Sequence, residues 1–342
     1  MKVNMPPTCF VSNFNPKDGT YLLLIFISGI FILNACSPVI ESHQSTLSAE
    51  SKVIQIINPA GPAVIPLAGI LNEEVKGVVQ FDIHYWKTTD DAIGYLSSKK
   101  ASFAVLPITT AVNISASDID LVLLGVHEWK VFYLLAAEGV AFTSWKSLIG
   151  KTVYSPEGRG QTVDILTRFA IQQEGLDPEK DVSFTYAPPQ EIASLFMEGK
   201  IEYAALPEPF VSQALSTGKG KIVVDYQDYW SSVSGAKNGI PIAGLFVTRD
   251  YLDHHPSEIN DVINLFSTSV KWSSENTDMS IKASSNILPY PEAIMQQALK
   301  RIKFEFVSAK NAKAETLHFL KTIKKYYPAG LKVIPDDRFF FQ

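Results

Sequence analysis

The stretch Tyr203-Ala204-Ala205-Leu206-Pro207-Glu208-Pro209-Phe210 reads as a short apolar strand that stops at Pro207 and hands over to a helix starting near Pro209. Proline has no backbone N–H, so it ends strands and suits the first turn of a helix, but sits poorly inside either. One hundred residues earlier the chain repeats the pattern, with Phe103-Ala104-Val105-Leu106-Pro107 followed by Ile108-Thr109-Thr110-Ala111-Val112. An amphipathic segment precedes each copy, Asp91 to Ser98 carrying Ile93 and Leu96, and Gln190 to Glu198 carrying Ile192, Leu195 and Phe196. Two copies of helix, Leu-Pro-ended strand and helix predict two similar α/β lobes.

With 342 residues the chain is long for one domain and comfortable for two. Hydrophobic residues make up 46% and charged residues 19%, which provides for a large core and argues against disorder. The formal net charge is −5 and no basic run occurs, so nucleic acid is not an expected partner. The two cysteines, Cys9 and Cys36, both lie near the N-terminus, which leaves the body without a disulfide framework, a CxxC motif or a thiolate metal cluster. No cofactor is expected.

Tyr21 to Leu33 is a continuous apolar run, too short to span a bilayer and suited to a signal-peptide core. The following Leu33-Asn34-Ala35-Cys36-Ser37 resembles a bacterial lipoprotein signal, in which cleavage precedes a cysteine whose sulfur receives the lipid. An uncleaved transmembrane anchor is the competing reading. Residues 1–35 are expected to be a signal peptide and 36–51, polar from Pro38 onward, a flexible tether.

Further along, Val53 to Ile57 is a buried-strand candidate ended by Asn58-Pro59-Ala60-Gly61-Pro62, with helical spacing over Val64 to Asn72. A strand, a Gly/Pro turn and a helix can present free N–H groups to an anion or carbonyl, or form an ordinary βα turn. Thr109 and Thr110 open a helix as caps or as ligand donors. Leu121 to Val126 and Val131 to Ala137 read as two strands interrupted by His127-Glu128-Trp129-Lys130. His127 and Glu128 are adjacent and point to opposite faces of a strand, which disfavours a catalytic pair. In the second lobe, Ser155 to Thr162 holds Gly158, Arg159, Gly160, Gln161 and Thr162 at the start of an amphipathic helix. This is the strongest anion or polar-headgroup candidate in the chain; the alternative is a tight turn with a solvated Arg159. It lacks the Gly-Lys-Ser/Thr ending of a Walker loop. Glu208, between two prolines, either caps its helix or meets a ligand's donor groups. From Pro256 onward the pattern is helical.

The chain resembles the solute receptors of ABC importers, in the nitrate/sulfonate/taurine and thiamine-precursor branch. The residues that carry the resemblance are Leu148 to Val153, Glu174 to Val182, Gly199 to Phe210 and Pro335-Asp336-Asp337-Arg338-Phe339. The resemblance implies a two-lobed α/β fold of the periplasmic-binding-protein type II class, each lobe a mixed sheet flanked by helices. Lobe 1 would comprise 52–137 and 244–342, and lobe 2 138–243, with hinge strands around Phe132 to Ala137 and Ala243 to Thr248. Carried over position by position, Pro59, Ala60, Gly61, Pro62, Thr109 and Thr110 would face Arg159, Gly160, Gln161, Thr162 and Glu208 across a cleft. For a heterocyclic ligand, Trp129, Tyr154 and Trp230 could supply an aromatic clamp.

The implied protein is not an enzyme. It would be an extracytoplasmic lipoprotein, anchored through Cys36, that takes a sulfonate, nitrate, taurine or pyrimidine-like solute by hinge closure. It would act as a monomer and deliver the solute to a permease and ATPase. A ligand-binding sensor without an importer is the first alternative. The second is an enzyme on the same fold, a thiamine-pyrimidine synthase or menaquinone-pathway dehydratase; the former carries a cysteine-rich iron motif, absent beyond Cys36.

Overall fold

The computed structural model describes residues 51–342 apart from Asp118, Glu157 and Pro289. The expected signal peptide, lipid-bearing Cys36 and most of the tether lie outside the described residues.

Strand β1 (Lys52–Pro59) runs through Val53, Ile54, Ile56 and Ile57 and stops at proline. A 3-10 turn follows over Pro62–Leu67, then a single α-helical turn, α1 (Ala68–Leu71). The helical spacing over Val64 to Asn72 predicts one helix, and the interior Pro66 explains why the first part tightens instead. Next come β2 (Val79–Trp86), α2 (Thr89–Ser97), β3 (Phe103–Pro107) and α3 (Ile108–Ser115). Strand β4 (Leu121–Lys130) passes through His127 and Glu128 without the expected interruption; the break before β5 (Phe132–Ala137) is Val131 alone. The second repeat is β6 (Thr152–Pro156), α4 (Thr162–Gln173), β7 (Ser183–Ala187), α5 (Pro189–Met197), β8 (Tyr203–Pro207) and α6 (Phe210–Ala214). Then follow β9 (Gly220–Asp225), α7 (Tyr226–Ser234), β10 (Ala243–Thr248), α8 (Arg249–His254), α9 (Ile259–Glu275), α10 (Thr277–Ser284) and α11 (Glu292–Leu299). Strand β11 (Lys303–Ser308) and helix α12 (Ala309–Tyr326) close the chain. The helical reading beyond Pro256 missed β11, whose Phe304 and Phe306 alternate with Lys303 and Glu305 at the period of a strand.

Pairing gives two mixed sheets. The first has six strands in the order β11-β4-β10-β3-β1-β2, and the second has five in the order β7-β6-β8-β5-β9. Within each, three strands are parallel (β3-β1-β2 and β7-β6-β8), and the helices that follow them cover the faces. The Leu-Pro strands β3 and β8 hold corresponding places, each the inner end of its parallel set.

The sheets divide the chain differently from the hinge expected above. Strand β5 pairs along its length with β8 and β9, so it belongs wholly to the second sheet. Strand β10 pairs along its length with β3 and β4, inside the first. The chain therefore crosses between sheets at Val131 and again over 235–242, one step before each predicted hinge strand.

One face of the first sheet buries Ile54, Ile56, Phe103, Val105, Leu245 and Val247 against Val262, Phe266 and Val270 of α9. On its other face Ala104, Leu106, Leu123 and Phe246 join a core shared with α3 and α12, which continues past Trp129 and Trp230 to α4. Each fully buried large side chain contributes about 1.5–3 kcal/mol. Gly125 on β4 is a tight point, since a Cβ there would stand 2.3 Å from the Phe306 ring and 2.8 Å from the Val307 carbonyl oxygen. Gly125→Ala is expected to cost about 1–3 kcal/mol in urea unfolding; an unchanged midpoint would mean that β11 moves aside without resistance.

Candidate functional site

Both parallel sets end beside the same short crossing. In the first sheet Ala243 is the register partner of Pro107, the last residue of β3, and of Glu128. In the second, Pro207, the last residue of β8, pairs with Phe132, and the Glu208 N–H donates to the Val131 carbonyl at 2.9 Å. The loops after the parallel strands thus converge on 128–132, the place where open α/β sheets bind ligands.

No side chain caps the turn at Pro62, α3 or α4, a lack they share with α5 and α9 to α12, whereas α2, α7 and α8 are capped by Thr88, Asp225 and Thr248 and α6 receives the Glu208 carboxylate. First-turn N–H groups have no partner within their own helix, and the macrodipole makes them attractive to negative charge. Thr109 and Thr110 are half-buried in the first turn of α3 and do not cap it. The turn after β1 offers less than its sequence promises. Ala60 N–H donates to the Trp86 carbonyl and Gly61 N–H to that of Pro59, at 2.9 and 3.0 Å.

At α4 the protein supplies its own anion. Asp164, fully buried, accepts from the Gly160 N–H at 2.8 Å, Arg168 Nε at 2.9 Å and Tyr186 Oη at 2.8 Å. Arg159 donates to both oxygens of Glu179, at 2.7 and 3.2 Å, an exposed pair on the surface. Gly160 has φ +89° and lies under Tyr327, whose ring would be 1.9 Å from a Cβ there. Gln161 sits at the N-cap position without capping, and Thr162 is the first helical residue.

Of the two readings of Glu208, the structure shows the one in which its carboxylate serves the first turn of the helix that follows, α6. Its side chain is fully buried, one oxygen receiving Arg301 Nη1 at 2.9 Å and the other the Ser212 N–H at 3.0 Å. Arg301 also donates to Ser212 Oγ at 3.0 Å, and its carbonyl accepts from Tyr133 Oη at 2.5 Å. The carboxylate ties the end of β8 to the segment leading into β11, across the two sheets. Arg301 lies 93 positions from Glu208, and no local pattern marks it.

Trp129 is fully buried with Nε1 donating to the Glu305 carbonyl at 2.8 Å, and Trp230 is buried against Phe169 and Phe319. Neither can clamp a ligand in this arrangement; Tyr154 is half-buried. His127 packs edge-on against Phe266 with neither ring nitrogen hydrogen-bonded, and burial lowers its pKa to about 3. The neighbouring Glu128 is 9% exposed, and burial pushes its carboxyl up to about 7. Among the described residues no group of three or more His, Cys, Asp or Glu could hold a metal.

Residues 151–287 match the NMT1-like family model. A Bacillus subtilis putative aliphatic sulfonates-binding protein is 23% identical over 254 residues, 71% of this chain and 72% of that one. An ABC transporter structure from Parabacteroides distasonis superposes with TM-score 0.72 at 24% identity, covering 85% of this chain and 99% of the other. The periplasmic aliphatic sulphonate binding protein SsuA of Escherichia coli gives 0.67 at 18%, covering 85% and 92%. This chain shares the two-lobed fold of ABC-importer solute-binding proteins. The nitrate-binding protein NrtA of Synechocystis PCC 6803 has the same fold, with TM-score 0.61, 14% identity and coverage of 82% and 83%. The Bacillus, Escherichia and Synechocystis relatives are named as binding proteins. Among the described residues no helix is long and apolar enough to cross a membrane.

Two outcomes follow from the charges. Arg301→Met strands a buried carboxylate, so it should cost about 3 kcal/mol in urea unfolding, and adding Glu208→Gln should recover most of that loss. For Glu128, the folded state keeps its proton up to about pH 7, while the unfolded state loses it near 4.5. Stability then falls as pH rises through that window. Glu128→Gln should abolish this slope, gaining up to roughly 3 kcal/mol on the native protein between pH 5 and pH 8. Parallel stability curves for the two proteins would refute it.

Proposed function

We propose that this protein is the extracytoplasmic solute-binding component of an ABC importer. It takes a small solute bearing a sulfonate- or nitrate-like group and passes it to a permease and its ATPase. The carrying observation is the pair of uncapped helix starts, at α3 and α4, placed on either side of one chain crossing. First-turn N–H groups that have no partner in their own helix suit an oxyanion, and the Bacillus, Escherichia and Synechocystis relatives are named for binding sulfonates or nitrate. In this reading the lobes close about Val131 and the return over 235–242, and the closed state is favoured by as much as the solute prefers it. Thr109, Thr110, Gln161 and Thr162 contribute donors, with Pro59 to Pro62 as a neighbouring wall. Gly160 and Glu208 shape the site through Asp164 and Arg301. A diacylglycerol on Cys36 holds the protein at the membrane.

A thermal-shift panel on residues 52–342 tests this with nitrate, methanesulfonate, ethanesulfonate, taurine and an aminopyrimidine. A true solute at one hundred times its Kd should add about 2.7 kcal/mol of stability. A panel without any shift would refute the solute class, and a Cys36→Ser protein that still sediments with membranes would refute the anchor.

A further inference from the structure

Helix α12 follows β11 of the first sheet, yet the two tyrosines at its end reach the second lobe. Tyr326 meets Phe169 of α4 edge-on, with ring centroids 5.4 Å apart, and its hydroxyl receives Gln173 Nε2 at 3.5 Å. Tyr327, the residue after the helix, lies in a slot between two glycines. A Cβ on Gly160 would stand 1.9 Å from its ring, and one on Gly330 2.2 Å. Gly160 belongs to the second lobe and Gly330 to the segment that carries the ring, so the slot exists only while the lobes are together. Both of its walls are held from behind. The Gly160 N–H donates to the buried Asp164 at 2.8 Å. The Gly330 carbonyl accepts from Asn113 of α3 at 2.9 Å. Lys324 Nζ donates to the carbonyls of Pro328, Leu331 and Lys332 at 3.1, 2.6 and 3.3 Å, which fixes the turn around Gly330.

The place of this contact gives it leverage. Two other links between the lobes stand at the crossing itself, where Lys130 pairs with Asp225 and the Glu208 N–H donates to the Val131 carbonyl. Gly160 follows β6, which β8 separates from β5, the strand that leaves the crossing. Two strand spacings amount to roughly 10 Å. A given rotation about the crossing therefore displaces the Tyr327 contact more than it displaces those links. Packing of a ring on backbone is short-ranged, and a gap of about 1 Å forfeits up to half of the attraction. We infer that Tyr327 is a clasp, which seats on Gly160 to hold the lobes together and must leave its slot before they part. The clasp is made of protein atoms alone, so it acts with or without a solute. Its release uncovers the loop that leads through Gln161 and Thr162 into α4. The inference rests on the lobe motion proposed above and names the contact that resists it.

A spin-label distance measurement across the lobes, made without solute, tests this. Both sheets are built from residues 52–308, and the body 52–342 has no cysteine of its own. Asp90→Cys and Glu191→Cys place one label on each lobe, at exposed positions in the first turns of α2 and α5. With Tyr327 intact the labels should give one narrow distance distribution. Tyr327→Ala removes the ring, and Gly330→Ala pushes a methyl into its place without altering α4. Each should shift the mean to longer distance and broaden the distribution, whereas Tyr327→Phe, which keeps the ring, should retain the narrow one. Unchanged distributions in both alanine variants would overturn the clasp, as would a Tyr327→Phe protein as open as Tyr327→Ala. If Tyr327→Ala does not fold, Gly330→Ala against Tyr327→Phe decides. Since no solute is present, a silent solute panel and a failed clasp are separate results.

Discussion

A carboxylate with no exposed surface, Glu208, sits at the end of the second sheet's inner parallel strand and is neutralised by Arg301, which belongs to the segment that enters the first sheet. The covalent crossings at Val131 and over 235–242 join the two sheets, and this ion pair adds a third connection without a peptide bond. It forms only when β8 and the segment before β11 meet in one arrangement, because a buried charge accepts few alternatives. Ser212 and the Tyr133 hydroxyl fix the same guanidinium-bearing residue from the second sheet's side. The crossing, the strand ends around it and the uncapped helices beyond it all take their positions from that junction.

A second pair also spans the sheets, Lys130 of β4 with Asp225 of β9. At the start of α4, Asp164 supplies the negative partner for the Gly160 N–H and Arg168, while Glu179 occupies both Arg168 and Arg159. The loop is therefore preorganised before any solute arrives, with its cations already paired. The first turn of α3 lacks such an internal anion, and the carboxyl of Glu128 lacks a cation.

The sequence made the two-fold plan legible because it is local: a Leu-Pro strand end is written in five consecutive residues, and the helices beside it carry their own periodicity. The place where the chain changes sheets was harder to read. Phe132 to Ala137 and Leu121 to Val126 are both continuous apolar runs, and nothing within either says which neighbours it pairs with. Strand β11 lies in a helix-rich region, and its mark is the alternation of Phe304 and Phe306 with Lys303 and Glu305. Glu208 was marked by its prolines, but its fate depended on an arginine far along the chain. The raised pKa of Glu128 is not legible in the sequence, because burial is a property of the folded state.

The end of α12 adds a mechanical point. Tyr327 is carried on a segment held to α3 by Asn113, which donates to the Gly330 carbonyl at 2.9 Å and accepts from the Lys332 N–H at 2.8 Å. Its ring meets the bare backbone of Gly160 on the opposite lobe. A side chain at Gly160 would collide with that ring, so the contact between α12's end and the loop before α4 depends on the residue having none.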